Sequence, residues 1–105
     1  DCFAIHDGKL YSGGDDGTIR IWNLKTYTPI RLFSLHSYSS AMCFAFHENR
    51  LYSGHHDENI HIWDTKTHNH IAKVSAHTTH VSCIVIHENK LVSGGFHETI
   101  NVLKI

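Results

Sequence analysis

Proline occurs once in this sequence, at Pro29, methionine once, and charged side chains make up 18% of the 105 residues, below the ~25% usual in globular domains. With aromatics at 10%, that composition excludes a proline-rich linker, a disordered chain and a long coiled coil. Long apolar runs are missing as well. The longest, Ala41 to Phe46, has six residues against the ~20 that a membrane helix needs, and no N-terminal stretch has the basic-then-apolar layout of a secretion signal. Neither sign of charge dominates: nine Lys and Arg face ten Asp and Glu, a net charge of −1. There is no electrostatic footprint for nucleic acid or for an anionic membrane surface, and neither is expected as a partner. Cysteine numbers three, an odd count, and no Asn-x-Ser/Thr site occurs. A disulfide framework is therefore not expected, and the residues read as intracellular, cytoplasmic or nuclear material. At this length the chain is at most one domain.

What the sequence does have is histidine, 12 residues, more than lysine and arginine together. It also has a period. Residues 2–23 read CFAIHDGKLYSGGDDGTIRIWN, residues 43–64 read CFAFHENRLYSGHHDENIHIWD, and residues 83–104 read CIVIHENKLVSGGFHETINVLK. The first pair shares 12 of 22 positions at an offset of 41, and the second pair 9 of 22 at an offset of 40. The residue lost between the two offsets falls between a histidine and the next cysteine, where a loop would absorb it.

Within each unit, short apolar or alternating runs are cut by Gly, Asn and Asp, the pattern of four strands joined by tight turns. In the second unit the expected strands are Ala41 to His47, Arg50 to Gly54, Asn59 to Thr65 and His70 to Ala76. The turns His6-Asp7-Gly8-Lys9 and His47-Glu48-Asn49-Arg50 carry hairpin chemistry, because Asp-Gly tolerates the positive φ of a two-residue turn. No segment has a 3.6-residue apolar period, so the chain reads as all-β. A four-stranded unit cannot bury both of its faces alone, and neighbouring units must stack.

The stretches SGGDDGTIRIWN (Ser12 to Asn23) and SGHHDENIHIWD (Ser53 to Asp64), with Leu35-His36 and Ala76-His77 in the Gly-His position, resemble the WD repeats of β-propellers, in register and over essentially the whole chain. The resemblance implies a β-propeller segment of three blades of four-stranded antiparallel sheet, at about residues 1–40, 41–80 and 81–105, the last lacking its outer strand. The short first hairpin followed by SGG or SGH is similar in style to the propellers of F-box, TRAF-type ligase and myosin heavy chain kinase proteins. It further implies a hydrogen-bonded chain of His, Ser, Asp and Trp tying the turn before the third strand to the loop leading into the blade. By position this is His36, Ser53, Asp57 and Trp63 in the second unit. In the first it is Ser12, Asp16 and Trp22. The third keeps His77 and Ser93 but has His97 for the Asp and Leu103 for the Trp, so the chain of bonds is expected to lapse there and that blade to be the least rigid.

A His-Ser-Asp set also invites a hydrolase reading. A nucleophilic serine needs a cleft and oxyanion donors, whereas Ser12, Ser53 and Ser93 recur once per unit within a strand, so no enzyme is expected. Cys2, Cys43 and Cys83 share one strand position in successive units, too far apart to be bridged, and read as reduced buried thiols. Of the histidines, repetition accounts for His6, His47, His87, His36 and His77. The other seven, His55, His56, His61, His68, His70, His80 and His97, read as surface residues. None has zinc-site spacing, and His68-x-His70 lacks a third ligand nearby, so no metal or other cofactor is expected. A histidine-based metal-binding or pH-responsive module stands as the alternative reading.

The resemblance places function on the loops between blades and the second-to-third strand turns, as an interaction scaffold for proteins or peptides. Before the motif Asp stand Asp15, His56 and Phe96; on the loops stand Tyr38, Ser39, Ser40, Thr79 and His80. An aromatic at an exposed turn, Phe96, suits a binding hot spot or packing against the neighbouring degenerate blade. Seven such units would take about 290 residues. The expectation is therefore a segment of a longer ring, completed by further blades of the chain or by other copies.

Overall fold

The computed structural model describes residues 2–14, 17–34, 40–75, 81–95 and 100–105, with backbone alone for 31–34. They form eleven strands in three antiparallel sheets. The first sheet runs β1 (Cys2–His6), β2 (Lys9–Gly13), β3 (Thr18–Asn23) and β4 (Thr28–Ser34), paired in sequence order. The second repeats it with β5 (Ala41–His47), β6 (Arg50–His55), β7 (Asn59–Asp64) and β8 (His70–Ser75). The third has three strands, β9 (Val81–His87), β10 (Lys90–Gly95) and β11 (Ile100–Lys104). This is the all-β arc of a β-propeller, and no helix occurs among the described residues.

The first turn of each blade holds the backbone where the sequence allows it. Asp7 and Gly8 sit at φ 52° and 71°, Glu48 at 54°, and Glu88 and Asn89 at 48° and 63°. The same bond then closes each blade behind the turn: the Leu24 amide donates to the Gly8 carbonyl at 3.3 Å, Thr65 to Asn49 at 2.9 Å, and Ile105 to Asn89 at 3.0 Å.

Alternation gives each sheet two apolar faces, and neighbouring sheets pack unlike faces together. Tyr11, Ile19 and Ile21 of the first sheet meet Ala41, Leu51 and Trp63 of the second, with Cys2, Phe44 and Phe46 against them. Phe46 stacks on His6 at 4.3 Å between ring centroids and meets the Tyr11 ring edge-on at 4.9 Å. One step on, Tyr52 and Ile60 meet Val81, Ile84 and Leu91, with Cys43, Ala45 and Ile62 alongside. Each large side chain fully buried this way stabilises by roughly 1.5–3 kcal/mol. Glycine is required where inner strands approach: a Cβ on Gly13 would stand 2.6 Å from that of Ala41, and one on Gly54 2.6 Å from Cys43 Sγ and 2.7 Å from Val81 Cγ1.

Among the described residues the outer faces of the arc have no such neighbour. Phe3 and Ile5 on β1 are 74% and 69% exposed, and Val85, Ile100 and Val102 in the third sheet are 60% exposed or more. Cys83 lies on that last face and is exposed, which corrects the expectation that all three thiols are buried; Cys2 and Cys43 are half-buried, and none is bridged.

Candidate functional site

The second blade carries a network of polar side chains on the face that packs against the first. Ser53 and His61 are opposite each other in the β6–β7 register, and Trp63 and His70 in the β7–β8 register, so all four point the same way. The Trp63 indole N–H donates to Ser53 Oγ at 2.9 Å. That leaves the hydroxyl proton for His55 Nε2 at 2.8 Å or, more distantly, the His61 carbonyl at 3.4 Å.

Asp57, in the turn before β7, accepts the Asn59 amide on Oδ1 and His61 Nε2 on Oδ2, each at 3.1 Å. Burial pushes the Asp57 carboxyl up, but the His61 hydrogen bond and the Asn59 amide outweigh it and hold the group below its ordinary value. The other His61 nitrogen, Nδ1, lies 3.1 Å from His70 Nε2. The His70 ring stands edge-on to Trp63 at 4.8 Å, and His55 stands edge-on to His61 at 4.7 Å.

The sequence reads His55, His61 and His70 as surface residues. The structure corrects two of them outright, with His55 at 0% and His61 at 4% exposure. The signal was available in the alternation: His55 is two residues from Ser53, and His61 is two from Trp63, so strand geometry puts them on the same face. The described histidine partner of Ser53 is thus His55, and that of Asp57 is His61. His36, which the resemblance assigned to this chain of bonds, lies outside the described residues, as do Asp16 and His77.

In the first blade Ser12 pairs with Arg20 and Trp22 with Leu10; among the described residues the Ser12 hydroxyl and the Trp22 indole are not joined. Ser93 is buried on β10, opposite Asn101. Of the partner-binding candidates, Ser40 and His56 are brought together: the His56 amide donates to the Ser40 carbonyl at 3.0 Å, and the His56 side chain is exposed. Asp15, Phe96, Tyr38, Ser39, Thr79 and His80 lie outside the described residues.

The residue after each tryptophan has a local task. Asn23 Oδ1 accepts the amides of Lys25 and Thr26 at 2.8 and 3.2 Å, and Asp64 Oδ1 those of Lys66 and Thr67 at 2.7 and 2.9 Å. Each caps the turn into its outer strand, where Tyr27 and His68 adopt φ 56° and 64°. Asn and Asp serve alike, because the job needs a short side-chain acceptor. Among the described residues no group of three or more His, Cys, Asp or Glu is disposed to hold a metal ion, and no helix is long and apolar enough to cross a membrane.

Sheets of this topology, stacked face to face at a period of about 41 residues, define a β-propeller repeat protein. The family model "WD domain, G-beta repeat" matches residues 2–23 and 27–64, more than half of the sequence, and the chain belongs to that family. None of the curated proteins matches the sequence. Among solved structures, the chain is similar to the computationally designed Ika4 protein at 28% identity and a TM-score of 0.85, over 98% of this chain and 64% of that one. The designed Ika8 protein gives 27% and 0.84, over 97% and 32%. The RRP9 WD40 repeats give 21% and 0.80, over 98% and 36%, a likeness of fold alone. The chain thus spans less than two thirds of the length of each.

Proposed function

We propose that the chain is part of a non-catalytic WD-repeat scaffold that binds a protein or peptide partner through the turns before its third strands and the loops leading into its first strands. A protein-interaction role is general to the family; the surface is what we add. The observation that carries it is the bond from the His56 amide to the Ser40 carbonyl at 3.0 Å. It mounts an exposed side chain on backbone tied to the neighbouring loop, so that little conformational entropy is lost when a partner is met. By position in the repeat, Asp15, Phe96, Tyr38, Ser39, Thr79 and His80 belong to the same surface. Intracellular placement goes with this reading.

Ser53 supports the absence of catalysis. Its hydroxyl is fully buried and engaged by Trp63 and His55, which leaves no approach for an electrophile. His36 is proposed to join the structural bonds of the second blade, while Asp16, Ser12 and Trp22 in the first and His77 and Ser93 in the third are proposed as scaffold residues without the Ser–Trp link of the second.

The ring itself is proposed to be completed by further blades, from a longer chain or from other copies. Phe3 and Ile5 stand where Phe44 and Phe46 stand in the second sheet, while Val85, Ile100 and Val102 continue the face that Ala45 and Ile60 present to the third. The open ends are the two halves of one kind of interface. A folded, monodisperse monomer of the 105 residues, measured by light scattering, would contradict completion. For the binding surface, cross-linking to the partner should weaken in His56→Ala and Phe96→Ala without loss of thermal stability, whereas Asp57→Ala should lower stability. Equal destabilisation by all three would remove the distinction between surface and scaffold.

A further inference from the structure

The pairing of His61 and His70 has no counterpart in the first blade, where Arg20 and Pro29 occupy the corresponding positions. Its hydrogen-bond logic is fixed from one side. Asp57 is an acceptor, so His61 Nε2 carries its proton toward Oδ2, and Nδ1 of the neutral ring is bare. His70 Nε2 then donates across the 3.1 Å gap. One added proton on the pair is tolerated, because a single N–H still bridges the two rings. A second is not: two N–H groups would point at each other across 3.1 Å, each on a charged ring.

We propose that the His61–His70 pair is an acid-released latch, holding the outer strand β8 against β7 near neutral pH and letting it go when both rings are protonated. His61 stays behind, buried and held by its Nε2 bond to Asp57. His70 is the ring that leaves, being exposed on the blade's last strand. Its departure strips the edge-on contact from Trp63, next to the register irregularity between Ile62 and Trp63 where the β7–β8 ladder is already interrupted.

The surroundings lean the same way. Lys73 lies opposite His61 in the β7–β8 register and adds positive charge, and His55 is engaged by Ser53. On the facing sheet stand Tyr11, neutral at these pH values, and, in register with Ile21 on β4, Arg31, whose side chain lies outside the described residues. Asp57 is the anion against the pair, and it bonds His61 Nε2. Burial, His61 and Lys73, in that order, hold His70 below the ordinary 6.5. The latch's contribution is therefore present above that value and is lost as pH falls through the lower, folded one.

Hydrogen exchange of the full-length protein tests this, with protection corrected for intrinsic rates at about pH 7.5 and about pH 5. Protection of His70 to Ser75 should fall by about tenfold or more at the lower pH, with β4 unchanged. His70→Gln supplies a donor that does not titrate, so protection of β8 at neutral pH should persist and its pH dependence disappear. Unchanged protection of β8 in the wild type, an equal fall in β4, or a fall that survives in His70→Gln would each overturn the latch.

Discussion

The indole of Trp63 on β7 donates to the hydroxyl of Ser53 on β6 at 2.9 Å, diagonally across two strands, with both side chains buried. Removing the acceptor leaves the indole N–H and the His55 ring to be desolvated without it. Ser53→Ala is therefore expected to lower stability by about 1–3 kcal/mol, whereas Ser12→Ala, which severs no such bond, should cost under about 1 kcal/mol. Urea unfolding of the two variants measures the difference. Equal losses would mean that the indole finds another acceptor.

Asp64 and Asn23 hold equivalent turns by the same two amide contacts, so the choice between them should matter only in acid. The Thr67 and Lys66 amides hold the Asp64 carboxyl below its ordinary 3.8. Its folded value is depressed, so its contribution is present above 3.8 and is lost as pH falls through the folded value. Asp64→Asn should keep the neutral melting temperature within about 2 °C and flatten the loss of stability below about pH 4. Asp64→Ala should lower melting near neutral pH and converge on the wild type in acid, where the wild-type contribution is already lost. A melting profile across that range distinguishes the three proteins.

The fold was legible because the repeat restates each strand. Trp22, Trp63 and Leu103 mark one register position three times, and the Asp-Gly and Glu-Asn turns mark its start. What escaped was decided by faces. His55 looked like the end of a strand followed by a turn, yet β6 runs one residue past the expected Gly54 to include it, and inclusion buries it. His61 replaces Arg20 of the first blade, and a substitution of one basic residue type for another reads as solvent-facing until the Asp57 carboxylate is seen to fix it. Cys83 shows the converse. Its sequence environment is that of Cys43, but the third sheet packs against Cys43 and no described sheet packs against Cys83.

Gly54 sits where two inner strands press together, so added volume there has nowhere to go. Its Cβ would fall 2.6 Å from Cys43 Sγ and 2.7 Å from Val81 Cγ1, and the branched Val81 is fully buried and cannot swing away. Gly54→Ala should cost about 1–3 kcal/mol through overpacking, and Gly54→Ala with Val81→Ala should recover part of it. A double-mutant cycle by urea unfolding reads the coupling; strict additivity would place the strain elsewhere.

Cys43 and Cys83 occupy one position in adjacent blades and should differ sharply in reactivity. Burial, which outweighs the Gly54 contact, pushes the Cys43 thiol up to about 12, so its nucleophilic thiolate is scarce at neutral pH. Cys83 is exposed on the open face. Alkylation followed by peptide mass spectrometry should therefore modify Cys83 at least about tenfold faster than Cys43 in the 105-residue chain. In a protein whose ring is completed beyond the third blade, a sheet would cover Cys83 as the third covers Cys43, and the two rates should converge. Rapid alkylation of Cys83 there as well would show that the face stays open, and the proposed completion of the ring would fail at that end.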